Sequence, residues 1–406
     1  MPLGCRGKPA TNKHRMNPEL SQFAARLRGL ILVGDDVRSL ASTAGKNESP
    51  HVLSDNFDSF ALELFSLQFQ NNSAYQKICA ARKLTPEVVE HWTQIPAVPT
   101  SAFKELELTS LAPEDRTAVF HSSGTTEQKP SRHFHCAESL AVYEASLWAG
   151  FAENLRFTIY DLRLLCLTPP PLQVPHSSLV RMFETVRQKM GVAASAFCGQ
   201  LGDDGAWTLD FNATLAALES SRITRHPSLL LGTAFAFVHL LDFLAEKNLT
   251  LQLPPGSRVL ETGGYKNRSR TLPKAELHAL ITERLGVPRE NIVCEYGMSE
   301  LSSQAYAGVT SDECCVRTEG RPPVHASLVT RHFHFPPWTR AQIISPETGR
   351  EVAEGETGLI RIFDLANVFS VAAIQTEDLG VRRGDGFELI GRAQLAEPRG
   401  CSLMTA

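Results

Sequence analysis

The chain has 406 residues, 43% of them hydrophobic, which is enough to bury a large core in two or three subdomains. Lysine and arginine total 40 against 44 acids, a formal net charge of −4, so there is no global basic field to hold nucleic acid or an anionic membrane. The longest apolar run, residues 229–241, is interrupted by Gly232 and His239; it is too short to span a bilayer and reads as a buried helix.

In chain order, the N-terminal stretch MPLGCRGKPATNKHRMNPE carries several cations and no apolar segment of the kind a secretory signal needs. Residues 1–50 are therefore expected to be a flexible tail, with Met16 as an alternative start. Nine cysteines are scattered without a pairing pattern and without an export signal, which points to a reducing cytoplasm. Apolar residues recur at helical spacing over 57–81, and Pro96 and Pro99 then mark a loop. After residues 121–129 the sequence predicts a helix over 136–151, starting near that loop as an anion-binding N-terminus does. Short apolar runs at 164–167, 228–231, 258–260 and 291–294 alternate with amphipathic stretches such as 272–285, the pattern of an α/β fold with mainly parallel strands. Beyond Gly320 shorter strand-like pieces with turn signals (PETG, RGDG) predict a small barrel or sheet.

Two segments carry chemistry. Residues 121–129 read HSSGTTEQK: backbone N–H groups unhindered at Gly124 and the hydroxyls of Ser122, Ser123, Thr125 and Thr126 suit polyphosphate oxygens. Residues 294–306 read CEYGMSELSSQAY. Tyr296 offers a ring on which a base can stack, and Glu300, beside Ser299, offers a carboxylate for a metal that bridges phosphates. Taken singly, each also fits a turn or core packing. There is no P-loop, Gly-x-Ser-x-Gly or His-Glu-x-x-His motif, and Cys314-Cys315 with His332 and His334 lack zinc-site spacing.

The order of these two segments, followed by Thr376-Glu377-Asp378 and Gly391-Arg392, resembles the adenylate-forming (acyl- and aryl-activating) superfamily. Within it the chain is similar to the bacterial acyl-protein synthetases of the luminescence fatty-acid reductase system, the LuxE family. FSLQFQNNSAYQKIC (65–79), IPAVPTSAFK (95–104), ETGGYKNRSR (261–270), DLANVFS (364–370) and GRAQLAEPRGCSL (391–403) extend the resemblance over most of the chain. It implies an α/β large domain over 51–392, with parallel sheets flanked by helices and a small β-barrel-like subdomain. The usual C-terminal lid domain is replaced by a short tail, 393–406.

The resemblance also implies ATP and Mg2+ as cofactors and a carboxylic, fatty acid as substrate. Ser122 to Thr126 would hold the β- and γ-phosphates, with Thr125 in a catalytic role. Gly263, Gly264 and Tyr265 would line the adenine and the acyl carboxylate, Tyr296 would stack on adenine, and Ser299 would contact phosphate. Glu300 would position Mg2+, Asp378 would accept both ribose hydroxyls, and Arg392 would approach the ribose or phosphate. Glu127 stands where the superfamily has a second glycine, an acid close to where the phosphates would lie, with Lys129 as a candidate compensating cation and weakened ATP binding as the alternative. Cys401, beside Arg399 and Gly400 near the end, is a candidate nucleophile whose thiolate the neighbouring cation stabilises. In the family a near-terminal cysteine carries the acyl group to a partner protein. Residues 229–244, with Phe235, Phe237 and Phe243, are a candidate wall for an acyl pocket. Two alternatives remain: a ligase whose acceptor is coenzyme A or a carrier protein, and a nucleotide-binding partner subunit that has lost catalysis.

Overall fold

The computed structural model describes residues 17–39, 49–122, 129–155, 162–192, 194–203, 205–264, 269–307 and 332–393. Four helices open the chain: α1 (Pro18–Ser39), α2 (Ser49–Asp55), α3 (Phe57–Asn71) and α4 (Ser73–Ala81). The first corrects the expected tail. Leu20, Phe23, Ala24, Leu27 and Ile31 are buried, and they recur at the spacing of a helical stripe. The Asn17 side chain accepts from the backbone N–H groups of Glu19 at 2.8 Å and Leu20 at 3.3 Å, which caps the helix start. The single helix expected over 57–81 is broken at Asn72. That side chain is fully buried, caps α4 by accepting from Tyr75 N at 3.1 Å, and donates to Ser370 O at 3.3 Å.

Next come β1 (Val98–Pro99) and α5 (Ala102–Glu105). Where the prolines predict a loop, Val98 and Pro99 pair in parallel with Ile374 and Gln375, an edge position that proline tolerates. β2 (Ala118–His121) and β3 (Arg132–His135) form an antiparallel hairpin in which Ala118 faces His135 and His121 faces Arg132. α6 (Ala137–Leu155) leaves from the Ala118 end. The phosphate-loop sequence joins the other end, roughly 10 Å away along four-residue strands. The N-terminus of α6 therefore lies at the opposite end of the hairpin from His121 and Arg132, the strand ends that lead into that segment.

A six-stranded sheet follows, built from β4 (Arg163–Cys166), α7 (Ser178–Met190), β5 (Ser195–Phe197), the hairpin β6 (Gly199–Leu201) and β7 (Trp207–Leu209), α8 (Phe211–Thr224), β8 (Ser228–Thr233), α9 (Ala234–Glu246), β9 (Arg258–Thr262), α10 (Lys274–Leu285), β10 (Ile292–Tyr296) and β11 (Ala305–Ala307). Its order is β11-β10-β9-β8-β4-β5, parallel except for β11, and the β6–β7 hairpin stands apart as its own sheet. Every residue of β8 and of β10 is buried, as strands covered by helices on both faces require. The apolar run read as one helix is half strand and half helix. Thr233 makes the switch, its hydroxyl accepting from Ala236 N at 3.3 Å to cap α9.

The last unit is an antiparallel sheet of β12 (Thr339–Ile344), β13 (Thr357–Asp364), β14 (Ala373–Arg383) and β15 (Gly386–Arg392). One edge of β14 is shared by β1 and β15, and its other edge pairs with β13. Among the described strands β12 pairs only with β13, so the sheet stays open and the barrel expected from the sequence does not close. No helix among the described residues is long and apolar enough to cross a membrane.

Candidate active site

The parallel register sets Thr262 beside Glu295, so the chain after β9 and the end of β10 leave the sheet side by side. Those next residues are Gly263 and Tyr296. Gly263 has φ +67°, a left-handed conformation that favours glycine, and a Cβ at Gly263 or at Gly264 would meet nothing within 4 Å. Open space therefore adjoins Tyr296. The tyrosine itself is 6% exposed, its ring held edge-on by Phe387 at 5.4 Å and tilted against Phe333 at 6.0 Å.

Its hydroxyl donates to Asp378 Oδ2 at 2.9 Å, and Arg392 Nε lies 3.7 Å from Asp378 Oδ1. β14 and β15 set Asp378 directly opposite Arg392, which is why residues from two motifs meet on one carboxylate. Burial raises the Asp378 pKa above the usual aspartate value, while the Tyr296 hydroxyl and the Arg392 guanidinium oppose the rise. With one tyrosine bond and one long ion pair, Asp378 keeps acceptor capacity for two further hydroxyl donors.

A second chain of contacts starts at the hairpin. Ser131 N donates to Ser122 Oγ at 3.0 Å, Ser131 Oγ lies 3.4 Å from Ser299 Oγ, and Ser299 Oγ donates to Glu300 Oε2 at 3.0 Å. His133 Nδ1–H donates to Ser299 O at 2.9 Å. Burial pushes the His133 pKa down to about 4, so the ring is neutral near pH 7 and acts as a fixed donor. Hydroxyls and a carboxylate that is 5% exposed make an all-oxygen donor set, which suits Mg2+ and not a soft metal. Lys129 sits 3.8 Å from Glu105 on the surface.

The structure thus brings Ser122, Ser299 and Glu300 into one hydrogen-bonded chain, and Tyr296, Asp378 and Arg392 into another, with Gly263 and Gly264 beside them. Ser123, Gly124, Thr125, Thr126, Glu127, Tyr265 and Cys401 lie outside the described residues. Of the expected acyl wall, Phe235 lines an apolar cavity of about 100 Å³ with Leu167, Trp207 and His239. Phe237 is fully buried, and Phe243 stacks on Phe211 at 4.6 Å.

Sequence reasoning gave no role to Asp364 and Asn367. Asp364 Oδ2 accepts from Ser302 N and Ser303 N, both at 2.9 Å, and Oδ1 accepts from Ser303 Oγ at 2.7 Å, Thr339 Oγ1 at 3.2 Å and Ala366 N at 3.0 Å. Asn367 Nδ2 donates to Glu300 O at 2.9 Å. The loop carrying Ser299 and Glu300 is therefore held from the antiparallel sheet. The signal was present in the sequence: two polar residues set among Leu365, Ala366, Val368 and Phe369, which can be buried only if they are hydrogen-bonded.

Residues 46–406 match the family described as Acyl-protein synthetase, LuxE. The chain belongs to the LuxE family. Two curated relatives are each named Long-chain-fatty-acid--luciferin-component ligase. The Aliivibrio fischeri protein is 23% identical over 363 residues, 86% of this chain and 87% of that protein. The Vibrio harveyi protein is 23% identical over 348 residues, 84% of each chain. Among solved structures, 2-Hydroxyisobutyryl-CoA Ligase in the postadenylation state with 2-HIB-AMP superposes with a TM-score of 0.61 at 12% identity, covering 85% of this chain and 68% of that one. The open form of the same ligase, with 2-HIB-AMP and CoA, gives 0.60 at 11% identity over 82% and 73%. At that identity the likeness is one of fold, and the fold of this LuxE chain is that of the adenylate-forming ligases.

Proposed function

We propose that the chain activates a long-chain fatty acid with ATP and passes the acyl group to a protein through Cys401. The observation that carries the reading is that two side-chain groups form where the chain leaves β10, each joining the 294–306 segment to residues far away in sequence. One is a hydroxyl and carboxylate chain (Ser122, Ser299, Glu300); the other is an aromatic and carboxylate pair (Tyr296, Asp378) with Arg392 on its rim. The names of both curated relatives support a fatty acid as substrate.

In this reading a carboxylate oxygen of the acid attacks the α-phosphorus of ATP, the bond to pyrophosphate breaks, and an acyl-adenylate forms. The Cys401 thiolate then attacks the acyl carbon and AMP leaves, giving a thioester ready for transfer to the acceptor protein. Asp378 would take the ribose hydroxyls, and the space at Gly263 and Gly264 would take adenine against Tyr296. Ser122 to Thr126, with Thr125 in the catalytic role, would enclose the outer phosphates, and Glu300 would hold Mg2+, which offsets charge on the phosphates. His133 and Asn367 position the Ser299–Glu300 segment through its backbone carbonyls.

The direct test is acid-dependent ATP–pyrophosphate exchange with purified, folded protein across short, long-chain and aromatic acids. Exchange with long-chain acids is expected, and its absence with every acid sinks adenylation. Cys401→Ser should retain exchange and lose the hydroxylamine-sensitive label left by a radioactive acid. A surviving label would place the acyl group elsewhere, and acyl-CoA formed at the rate of adenylation would replace the protein acceptor with coenzyme A.

A further inference from the structure

Three buried side chains outside the nucleotide site converge behind it: Glu261 in β9, His278 in α10 and Cys294 in β10, at 4%, 2% and 1% exposure. The parallel register sets Cys294 beside Glu261. Both share a face of the sheet with Val259 and Ile292, the face on which Leu277 and Ile281 of α10 pack. His278 Nε2 lies 3.7 Å from Cys294 Sγ and 3.7 Å from Glu261 Oε2, and one donor atom from each residue lies within 4.8 Å of the others.

Two features separate this cluster from an ordinary buried hydrogen-bond relay. Sulfur and carboxylate face the same imidazole nitrogen, which holds at most one proton, whereas a relay uses both ring nitrogens. Glu261 Oε2 is also buried with no partner at full hydrogen-bonding distance, its carboxylate held only by the looser approach of His278 and Cys294 and by the charge of Lys274. A cation at the point of convergence removes both anomalies.

We propose that Glu261, His278 and Cys294 bind a zinc ion that ties α10 to β9 and β10. Thiolate, imidazole and carboxylate are the donor types zinc selects, with bonds of about 2.3 Å to sulfur and about 2.0–2.2 Å to nitrogen and oxygen. Tetrahedral bonds of those lengths set the donors roughly 3.3–3.6 Å apart, close to the 3.7 Å that separates His278 Nε2 from each of its two neighbours. On binding, the Cys294 Sγ–H bond breaks and its proton passes to solvent, while the Nε2 lone pair of His278 and Glu261 Oε2 complete three protein ligands. The ion lies beneath the strand ends that lead to Gly263 and Tyr296, a place where it stiffens the floor of the pocket without taking part in the chemistry.

The test is independent of any acyl-activating activity. Full-length protein purified from zinc-supplemented cells and dialysed against metal-free buffer should retain about one zinc per chain by elemental analysis. Cobalt(II) reconstitution should produce a thiolate-to-metal charge-transfer band that Cys294→Ser abolishes. Glu261→Gln, nearly isosteric and checked for folding by near-ultraviolet circular dichroism, should weaken metal affinity by roughly tenfold or more. The proposal is overturned if folded wild-type protein binds neither metal, or if Cys294→Ser and Glu261→Gln both retain zinc at wild-type affinity.

Discussion

The two sheets differ in how far they bury the polar residues nearest the candidate site. In the parallel sheet Glu261, Thr262 and Glu295 are buried at the ends of strands that are covered on both faces. Burial pushes Glu295 up to about 7, Glu261 adds a like charge, and the Thr262 hydroxyl, which donates to Glu295, opposes the shift. In the antiparallel sheet burial alternates along β13, the mark of a sheet with one wet face, and Asp378 in β14 keeps 19% of its side chain exposed. One sheet supplies a dry, preset frame, and the other supplies groups that remain accessible to a ligand. Asp364 connects them: it sits at the end of β13 and grips the loop that leaves β10.

Breaking that connection gives the largest expected effect. Asp364→Ala strands five buried donors, and about 3–5 kcal/mol of unfolding free energy should be lost in urea titration. A loss below 1 kcal/mol would mean that the sheets are held together elsewhere. Glu300→Ala tests the chemistry that the connection supports. Acid-dependent pyrophosphate exchange should fall by about 10²–10³-fold while stability changes far less, the magnitude typical of losing a group that stabilises developing charge.

The dry frame should also leave a signature in pH. Glu295 titrates near 7 when folded against an ordinary value of 4.5, so the native state binds the extra proton between those limits. Its contribution is at its best below 4.5 and is lost as pH rises through about 7. Glu295→Gln should therefore gain on the wild type between pH 5 and pH 8, by up to about 3 kcal/mol. His133 runs the other way. Its folded value of about 4 lies below the ordinary 6.5, so stability present above 6.5 is lost as pH falls toward 4. Parallel pH profiles for Glu295→Gln and the wild type would contradict the desolvated carboxylate. The smallest effect belongs to the wet side. Tyr296→Phe removes one hydroxyl donor from Asp378 and should weaken ATP-induced thermal stabilisation by about fivefold in apparent affinity, or about 1 kcal/mol.

Much of this was legible in the sequence, for identifiable reasons. The alternation of short apolar runs such as 292–294 with amphipathic stretches announces parallel strands, and Tyr296, Ser299, Glu300, Asp378 and Arg392 stand in an order that resembles the adenylate-forming superfamily. What could not be read depends on distant partners. The stripe of α1 was masked by the basic stretch that precedes it, and its burial is decided by α6, far along the chain. Pro99 reads as a loop until Ile374 and Gln375 arrive to pair with its strand. Asp364 looks like any acid at the end of a strand, because its five donors come from the loop after β10, from Thr339 and from Ala366. Barrel closure failed for the same kind of reason: turn signals count strands but do not say which edges meet.

The buried Gln68 has a consequence for how the molecule is made. Its amide donates to Asn367 O at 2.8 Å and to Val368 O at 3.2 Å, and its oxygen accepts from Ala372 N at 3.0 Å. Those partners lie 299, 300 and 304 residues downstream. At about 5–20 residues per second, a ribosome delivers them roughly 15–60 s after Gln68 has been synthesised. Through that interval the inner faces of α3 and α4 lack the part of their native cover that comes from residues 363–374, while the parallel sheet, whose strands are all encoded before residue 308, can already assemble. α3 and α4 are synthesised early and their packing is completed late, so a nascent chain that stalls before β14 leaves Leu64, Phe65 and Tyr75 incompletely covered and open to whatever holds unfolded chains in the cell.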